Sequence, residues 1–228
     1  MKHVEQELLS LKDEISQMWK LVLSQLEKAR QSYFNRDIEQ AREIISREKR
    51  VNAFELKIDS DCENYIALYA PVAIDLRLAL SLIKISRTLE RIGDFAAGIA
   101  RQVVDDDCTE IDPQVVEELQ IDHMFDMLIT MLSDCYVALE SENTKISGRI
   151  IAKDEEVDDI YRSSTDILAA YAEKNPGMIR CALKTQLLIR KLERIGDHCS
   201  NIVEEIVFYV DAKVLKHSRL KKQIQTEL

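Results

Sequence analysis

The sequence predicts an all-α protein built from two tandem three-helix bundles with six long helices. The chain of 228 residues contains only five glycines and three prolines, so few turns are available. No run of alternating apolar and polar β-branched residues is long enough to predict a sheet. The hexapeptide Leu-Glu-Arg-Ile-Gly-Asp occurs at residues 89–94 and again at residues 192–197, 103 residues further on. A repeat of this length indicates a duplicated domain rather than a solenoid.

The three helices of the first half follow from apolar spacing and from proline. Apolar side chains spaced alternately by four and three residues predict a first helix over about residues 2–33. Asn35 or Asp37 can cap a second helix that ends near Ala70. The third helix begins after Pro71, carries the first hexapeptide and stops before Asp105. The seam of the first helix consists of Val4, Leu8, Leu11, Ile15, Met18 and Val22.

The second half repeats this plan. A fifth helix is predicted over about residues 147–173, and a sixth, which bears the second hexapeptide, over about residues 177–211. Pro113 and Pro176 mark helix boundaries, as Pro71 does in the first half. The fourth helix is indicated by apolar side chains spaced by three and four residues, namely Ile121, Met124, Leu128, Met131, Cys135 and Ala138.

These helices divide the chain into three parts. We expect a first bundle at residues 1–106, a second bundle at residues 113–213 and a basic tail at residues 214–228, with the acidic segment 105–112 as the junction between the bundles. The tail can contact a partner or an anionic surface, but such a run is more typical of an ordinary, solvated helix C-terminus, where cations are favoured. The cations at this end of the chain are Lys213, Lys216, Arg219, Lys221 and Lys222.

The composition of the chain indicates where the protein resides and which class of partner it binds. The formal net charge of −10 disfavours nucleic-acid binding, which needs a clustered positive face. Five cysteines without a C-x-x-C pair predict reduced thiols. No stretch approaches the roughly 18 to 20 uncharged apolar residues of a membrane span, and the N-terminus lacks an apolar signal core. We therefore expect a soluble cytoplasmic protein that reaches a membrane only through partners.

Each hexapeptide presents two carboxylates on one helix face. Glu90 and Asp94 in the first copy, like Glu193 and Asp197 in the second, are four residues apart, and like charges at this spacing destabilise a helix by about 0.2 to 0.5 kcal/mol. The glycine within each copy costs about 1 kcal/mol relative to alanine in a helix interior. Two unfavourable features kept at matching places in both halves indicate a site.

The preceding helix of each half offers further oxygen ligands. Asp154 and Asp158 repeat the spacing of four, while the matching stretch of the first half has Glu48 and Asn52, followed by Glu55. Several converging carboxylates bind hard or borderline cations because the ion offsets their repulsion. The alternative is a solvated ion-pair network, since arginines flank both hexapeptides. They are Arg87, Arg91, Arg190 and Arg194.

Catalysis has no support beyond these carboxylates. The Glu-x-x-His signature of di-iron bundles is absent, and no phosphate loop, nucleophile elbow or dinucleotide fingerprint occurs. His198 follows Asp197 directly and therefore points to a different side of the helix, as a capping or packing residue does. A carboxylate-bridged metalloenzyme is the alternative from another functional class, and a purely structural scaffold is a third.

The sequence resembles the PhoU family of phosphate-signalling proteins. The resemblance rests on the two hexapeptides, on Asp75, Leu76 and Arg77 after Pro71, and on the run at residues 197–205, and it covers nearly the whole chain. It implies two similar three-helix bundles whose paired E/D-x-x-x-D motifs hold multinuclear metal clusters, usually of iron or zinc. The implied metal ligands are Glu48, Asn52, Glu55, Glu90, Asp94, Asp154, Asp158, Glu193 and Asp197. Because Asn52 departs from the motif, the first site is expected to depend on Glu55 or to bind metal more weakly.

The resemblance also implies a regulator rather than an enzyme. Members of the family restrain phosphate uptake and the phosphate-starvation response by acting between the ATPase of the phosphate ABC transporter and a membrane sensor histidine kinase. Asp75, Arg77, Asn201 and Glu204 are hypothetical contacts to such partners, and a local cap or ion pair is the alternative for Arg77. Long amphipathic helices also make a homodimer possible.

Overall fold

The computed structural model describes residues 2–105, 108 and 111–215. The first bundle consists of α1 (Lys2–Asn35), α2 (Ile38–Tyr69) and α3 (Ala73–Val104). Asp37 caps α2, since its Oδ1 accepts a hydrogen bond from the backbone N–H of Gln40 at 3.0 Å. Helix α3 ends just before Asp105, as predicted. The basic tail beyond residue 215 and residues 106, 107, 109 and 110 of the junction lie outside the described residues.

The second bundle consists of α5 (Ile121–Ser141), α6 (Ser147–Lys174) and α7 (Ile179–Asp211). A short helix that the sequence analysis did not predict, α4 (Pro113–Glu118), precedes it, and Pro113 is its first residue. Pro176 likewise begins a single 3₁₀ turn before α7. No strand occurs among the described residues. The prediction of an all-α protein with two three-helix bundles and six long helices is therefore confirmed.

The two bundles pack side by side over a shared core. Trp19 of α1 is fully buried and donates its indole N–H to the carbonyl oxygen of Leu132 in α5 at 3.1 Å. Along the neighbouring pair of helices, Ser81 of α3 donates to the carbonyl oxygen of Glu205 in α7 at 3.2 Å. Because α3 and α7 are in contact, the two helices that carry the hexapeptides lie next to each other. The residue boundaries given above for the bundles stay a prediction.

The apolar seam of α1 explains how this helix is anchored. Leu11, Ile15, Met18 and Val22 are each at most 2% exposed, whereas Val4 and Leu8, nearer the chain end, are half-buried. Burying four such side chains stabilises the helix by about 1.5 to 3 kcal/mol each. No helix within the described ranges is long and apolar enough to cross a membrane.

Candidate metal centre

Three carboxylates from two helices converge in the second bundle. Asp154 and Asp158 lie one turn apart on α6 and face Asp197 on α7, and one oxygen of each lies within 4.8 Å of the others. Asp154 is the most buried, at 3% exposure, and its Oδ2 accepts a hydrogen bond of 2.7 Å from Ser200. We call Asp154, Asp158, Glu193 and Asp197 the second centre.

The charges of the second centre disfavour one another. Burial raises the pKa of Glu193, and the negative charges of Asp197, Asp158 and Asp154 raise it further, against the opposing effect of Arg194. After burial, the largest cause, three nearby carboxylates act on Glu193 against one arginine, so negative charge is in excess at this place. A bound cation would relieve this excess.

Arginines also contact the second centre, as the ion-pair alternative requires. Arg194 donates to Asp197 at 2.8 Å, and Arg162 donates to Asp158 at 3.4 Å. Both guanidinium groups are largely exposed, and exposed ion pairs contribute only about 0 to 1 kcal/mol. They lie at the rim, whereas the buried carboxylate of Asp154 accepts its hydrogen bond from Ser200.

The glycine of the hexapeptide lets α6 and α7 approach closely. A Cβ atom built on Gly196 would lie 2.7 Å from Oδ1 of Asp154, which is closer than van der Waals contact permits. The helix-weakening glycine is therefore a steric requirement of the buried carboxylate. The glycine is unfavourable in a helix, as predicted from the sequence, and the close contact with Asp154 is the reason for it.

The donor set fits a hard or borderline cation. All four side chains of the second centre offer carboxylate oxygens, which suit ferric iron and other oxygen-binding cations and are also found on zinc. A Cβ at Gly196 would clash with Oδ1 of Asp154, so the absence of a side chain here leaves room for a potential oxygen ligand. Asp154, Asp158 and Asp197 would hold such an ion, and Glu193, which lies outside this group of three but feels their charges, would lie beside it.

The first bundle assembles a related but different group of side chains, here called the first centre: Asn52, Glu55, Glu90 and Asp94. Burial raises the pKa of Glu90, repulsion from Asp94 and Glu55 raises it further, and against the opposing charge of Arg91 these effects together bring it to about 7. Arg91 lies 3.6 Å from carboxylate oxygens of both Glu90 and Asp94. The Oδ1 atom of Asn52 is buried and accepts no hydrogen bond within the described part of the chain.

Glu48 takes a different position from its counterpart Asp154. Its carboxylate pairs with Arg101, on the last turn of α3. The counterpart of Ser200 in this bundle is Ala97, which cannot donate a side-chain hydrogen bond. The structure thus brings Glu55 and Asp94 close enough to Glu90 to repel its charge, leaves Oδ1 of Asn52 buried one turn before Glu55 on α2, and directs Glu48 to an arginine.

Two polar residues at the centres were not predicted from the sequence. Ser200 contacts Asp154, as described above, and Gln25 of α1 lies beside the first hexapeptide, with its Oε1 3.3 Å from the position of a Cβ on Gly93. Gln25 is fully buried, and within the described residues its Oε1 accepts no hydrogen bond. Comparing positions 103 residues apart could have identified Ser200, because its counterpart is alanine.

The hypothetical partner residues lie along the contact between α3 and α7. Arg77 donates its Nε to the carbonyl oxygen of Tyr209 at 3.0 Å, so this side chain joins the two bundles. Asn201 and Glu204 line a groove of about 420 Å³, together with Glu90 of the first centre. Asp75 is half-buried near Tyr65, whose pKa is raised by burial and then by this charge.

His198 lies at the same contact and packs rather than joining either centre. Its ring lies 5.7 Å from that of Phe95, with an interplanar angle of 32°. Burial lowers the pKa of His198, and Arg194 lowers it further. The neutral imidazole is therefore favoured between the two bundles.

Comparisons with known proteins agree with this architecture. The PhoU domain model matches residues 15–103, within α1–α3, and residues 121–206, within α5–α7. The chain is 32% identical over 211 residues to the phosphate-specific transport system accessory protein PhoU of Escherichia coli, with 92% of this chain and 86% of the relative covered. It is 29% identical over 217 residues to the PhoU homolog of Aquifex aeolicus, with 95% and 97% covered.

Solved structures give the same result. The crystal structure of PhoU from Pseudomonas aeruginosa is similar with a TM-score of 0.83 and 27% identity, covering 92% of this chain and 99% of that chain. The phosphate transport system regulatory protein PhoU from Streptococcus pneumoniae is similar with a TM-score of 0.79 and 26% identity, covering 94% and 100%. Because the family model matches most of the sequence in two copies, the chain belongs to the PhoU family.

Proposed function

We propose that this protein regulates phosphate uptake and the phosphate-starvation response, and that it binds metal ions through its carboxylate centres. The regulatory role is supported by the accessory and regulatory PhoU proteins to which the chain is similar over nearly its whole length. The observation that carries the metal proposal is the convergence of Asp154, Asp158 and Asp197 within 4.8 Å, with Asp154 buried against Gly196.

The proposed partners are the ATPase subunit of the phosphate ABC transporter and a phosphate-sensing histidine kinase. The protein would act in the cytoplasm, where both partners expose soluble parts, and would contact the membrane only through them. Its role is proposed to be non-catalytic: the second centre lies at the outer surface between α6 and α7, where Asp158 and Asp197 are partly exposed. Iron and zinc are the proposed ions. A centre that binds more than one ion would hold them as a cluster.

Metal content tests the first half of the proposal. Protein purified without a metal-binding tag is measured by elemental mass spectrometry beside the double variant Glu193→Gln and Asp197→Asn. We expect metal in the wild type and a clear reduction in the variant. The matched control is Asp122→Asn with Asp126→Asn, because these carboxylates are also four residues apart and pair with Arg30. Absence of metal from the wild type would reduce the second centre to ion pairs.

The second half of the proposal, the regulatory role, is tested independently by measuring the repression of a reporter gene. A reporter driven by a phosphate-starvation promoter is measured in cells that carry either variant in place of the wild type. We expect a deletion of the protein to derepress the reporter in high phosphate, the second-centre variant to do so as well, and the control to repress. A deletion without effect would remove the regulatory proposal, whatever the metal content.

A further inference from the structure

The beginning of α7 carries exposed aliphatic side chains along one line of the helix. Ile179, Leu183 and Leu187 are spaced by four residues and are 50%, 62% and 54% exposed. Residues at this spacing share one helix face, so the three side chains form a continuous ridge about 12 Å long. Contiguous exposed apolar surface of this kind typically marks an interaction site.

The other sides of this helix segment are already occupied by the fold. Cys181, Ala182 and Thr185 are buried against the core. The carbonyl oxygen of Lys184 accepts a hydrogen bond of 2.7 Å from Gln102 of α3, and Gln186 accepts one of 3.1 Å from Ser164 of α6. Since α3 and α6 flank the segment, the ridge lies on the remaining sector, which faces outward.

The helix segment that carries the ridge has a charge opposite to that of the whole protein. Although the net charge of the chain is −10, no Asp or Glu occurs from residue 174 to residue 192. Arg180 and Arg190 are exposed; Arg180 lies about 100° around the helix from Ile179, and Arg190 lies on the face of the ridge just beyond Leu187. The cations of this segment are Lys174, Arg180, Lys184, Arg190 and Lys191.

Several kinds of partner can cover an apolar ridge, and the charge of this helix segment favours one of them. A second copy docked ridge to ridge would bring Arg180 and Arg190 of both copies together, and like charges across an interface are strongly unfavourable. The chain's own C-terminal segment carries Lys216, Arg219, Lys221 and Lys222, so it has the same sign of charge. An amphipathic helix with acidic flanks satisfies both the apolar and the charged features.

We propose that the ridge of Ile179, Leu183 and Leu187 docks an amphipathic helix of a protein partner whose polar flanks are acidic. This inference rests on the proposed function, since it describes how a regulator without catalytic activity engages a partner. The same helix face continues through Arg190 and Arg194 towards Asp197, so the docked helix would lie directly before the second centre.

Two synthetic peptides test the proposal directly. Each is about 20 residues long and helical, with the same apolar seam; the flanking positions carry Glu in one peptide and Lys in the other. Fluorescence anisotropy is used to titrate the labelled peptides with the full chain. We expect the acidic peptide to bind about tenfold or more tightly than the basic one. Arg190→Glu should reduce this preference, and Leu183→Glu should weaken binding of the acidic peptide by about tenfold or more.

The control and the alternatives are measured with the same proteins. Leu9→Glu introduces the same change at a site that is 66% exposed on α1, and it should leave binding unchanged. Circular dichroism verifies that the variants fold. Equal binding of both peptides, binding of neither, or equal loss in both leucine variants would overturn the proposal.

Two further outcomes would assign the ridge to another occupant and so reject an acidic helix. One is self-association of the wild type in analytical ultracentrifugation that Leu183→Glu abolishes. The other is Leu183-dependent binding to vesicles of phosphatidylglycerol. The metal content of Leu183→Glu should equal that of the wild type, so a failure of the metal proposal and a failure of the docking proposal give different results.

Discussion

The first and second centres share a hexapeptide but differ in the side chains that face it. In the second bundle, Asp154 is buried and bound by Ser200 at 2.7 Å. At the matching place of the first bundle, Glu48 is paired with Arg101, and Ala97 replaces the serine. The repeated motif alone therefore does not determine the centre. The helix packed against it decides whether a carboxylate is held inside the site or directed away from it.

The largest expected difference between the centres concerns their glycines. In Gly196→Ala the new Cβ would meet Asp154 Oδ1 at 2.7 Å, whereas in Gly93→Ala the nearest atoms, of Gln25 and Val51, lie at 3.3 Å. Displacing Asp154 also breaks its bond to Ser200. After a gain of about 1 kcal/mol in helix propensity, we expect Gly196→Ala to lose about 2 kcal/mol of unfolding free energy. Urea denaturation of metal-free protein measures this difference.

Gly93→Ala is the matched control for that experiment, because it makes the same change in the same hexapeptide. Its unfolding free energy should stay within about 1 kcal/mol of the wild type. We also expect Gly196→Ala to retain less metal than Gly93→Ala. Equal effects of the two substitutions on stability would contradict a steric role that is specific to the second centre.

An exchange of one amide and one carboxylate tests the second difference between the centres. Asp158 of α6 corresponds to Asn52 of α2, which contributes a neutral oxygen. We expect Asp158→Asn to weaken metal binding at the second centre by about tenfold, since each lost charge reduces the attraction for a cation. Asn52→Asp should strengthen binding at the first centre by a similar factor. Competitive titration with a chelating dye measures both changes.

The control for the exchange is the combination of both substitutions in one chain. If charge alone sets the difference, the double variant should bind the same total amount of metal as the wild type, but with the first centre now binding more tightly than the second. A strengthened first centre in Asn52→Asp that requires Glu48→Ala as well would instead show that the pair of Glu48 and Arg101 limits this centre.

Much of the fold could be predicted because its signals are local. Pro71, Pro113 and Pro176 each lie at or just before a helix start, and Asp37 caps α2 through its own side chain. The seam of α1 appears in the spacing of its apolar residues. The unpredicted helix α4 is short and follows the acidic junction, where no apolar periodicity is available.

The candidate centres depended more on contacts between distant parts of the chain. The pairing of Glu48 with Arg101 joins residues on α2 and α3, and the contact of Ser200 with Asp154 joins α7 to α6. Spacing within one helix shows which carboxylates share a face, but it does not show which neighbouring side chain competes for them. The packing of α3 against α7, which places the groove between the two bundles, was not predicted for the same reason.

The smallest expected effect is the pH dependence of the stability of the metal-free protein. Burial and nearby acids raise the pKa of Glu90 from 4.5 to about 7. The folded state therefore holds this proton more tightly than the unfolded state, so ionisation opposes folding. The penalty is absent below pH 4.5, grows between pH 4.5 and about 7, and is fully present above that range.

Glu90→Gln removes the ionisation and should stabilise the metal-free protein at pH 8 by about 1 kcal/mol, since solvent screens part of the effect. At pH 4.5 the variant and the wild type should differ little. Thermal denaturation at both pH values measures the change, with Glu48→Gln as control because it removes a carboxylate already paired with Arg101. Glu193→Gln should act in the same direction, since the pKa of Glu193 is also raised. Stabilisation at pH 8 by Glu48→Gln as well would show that general negative charge, rather than the clustering of carboxylates at the centres, opposes folding.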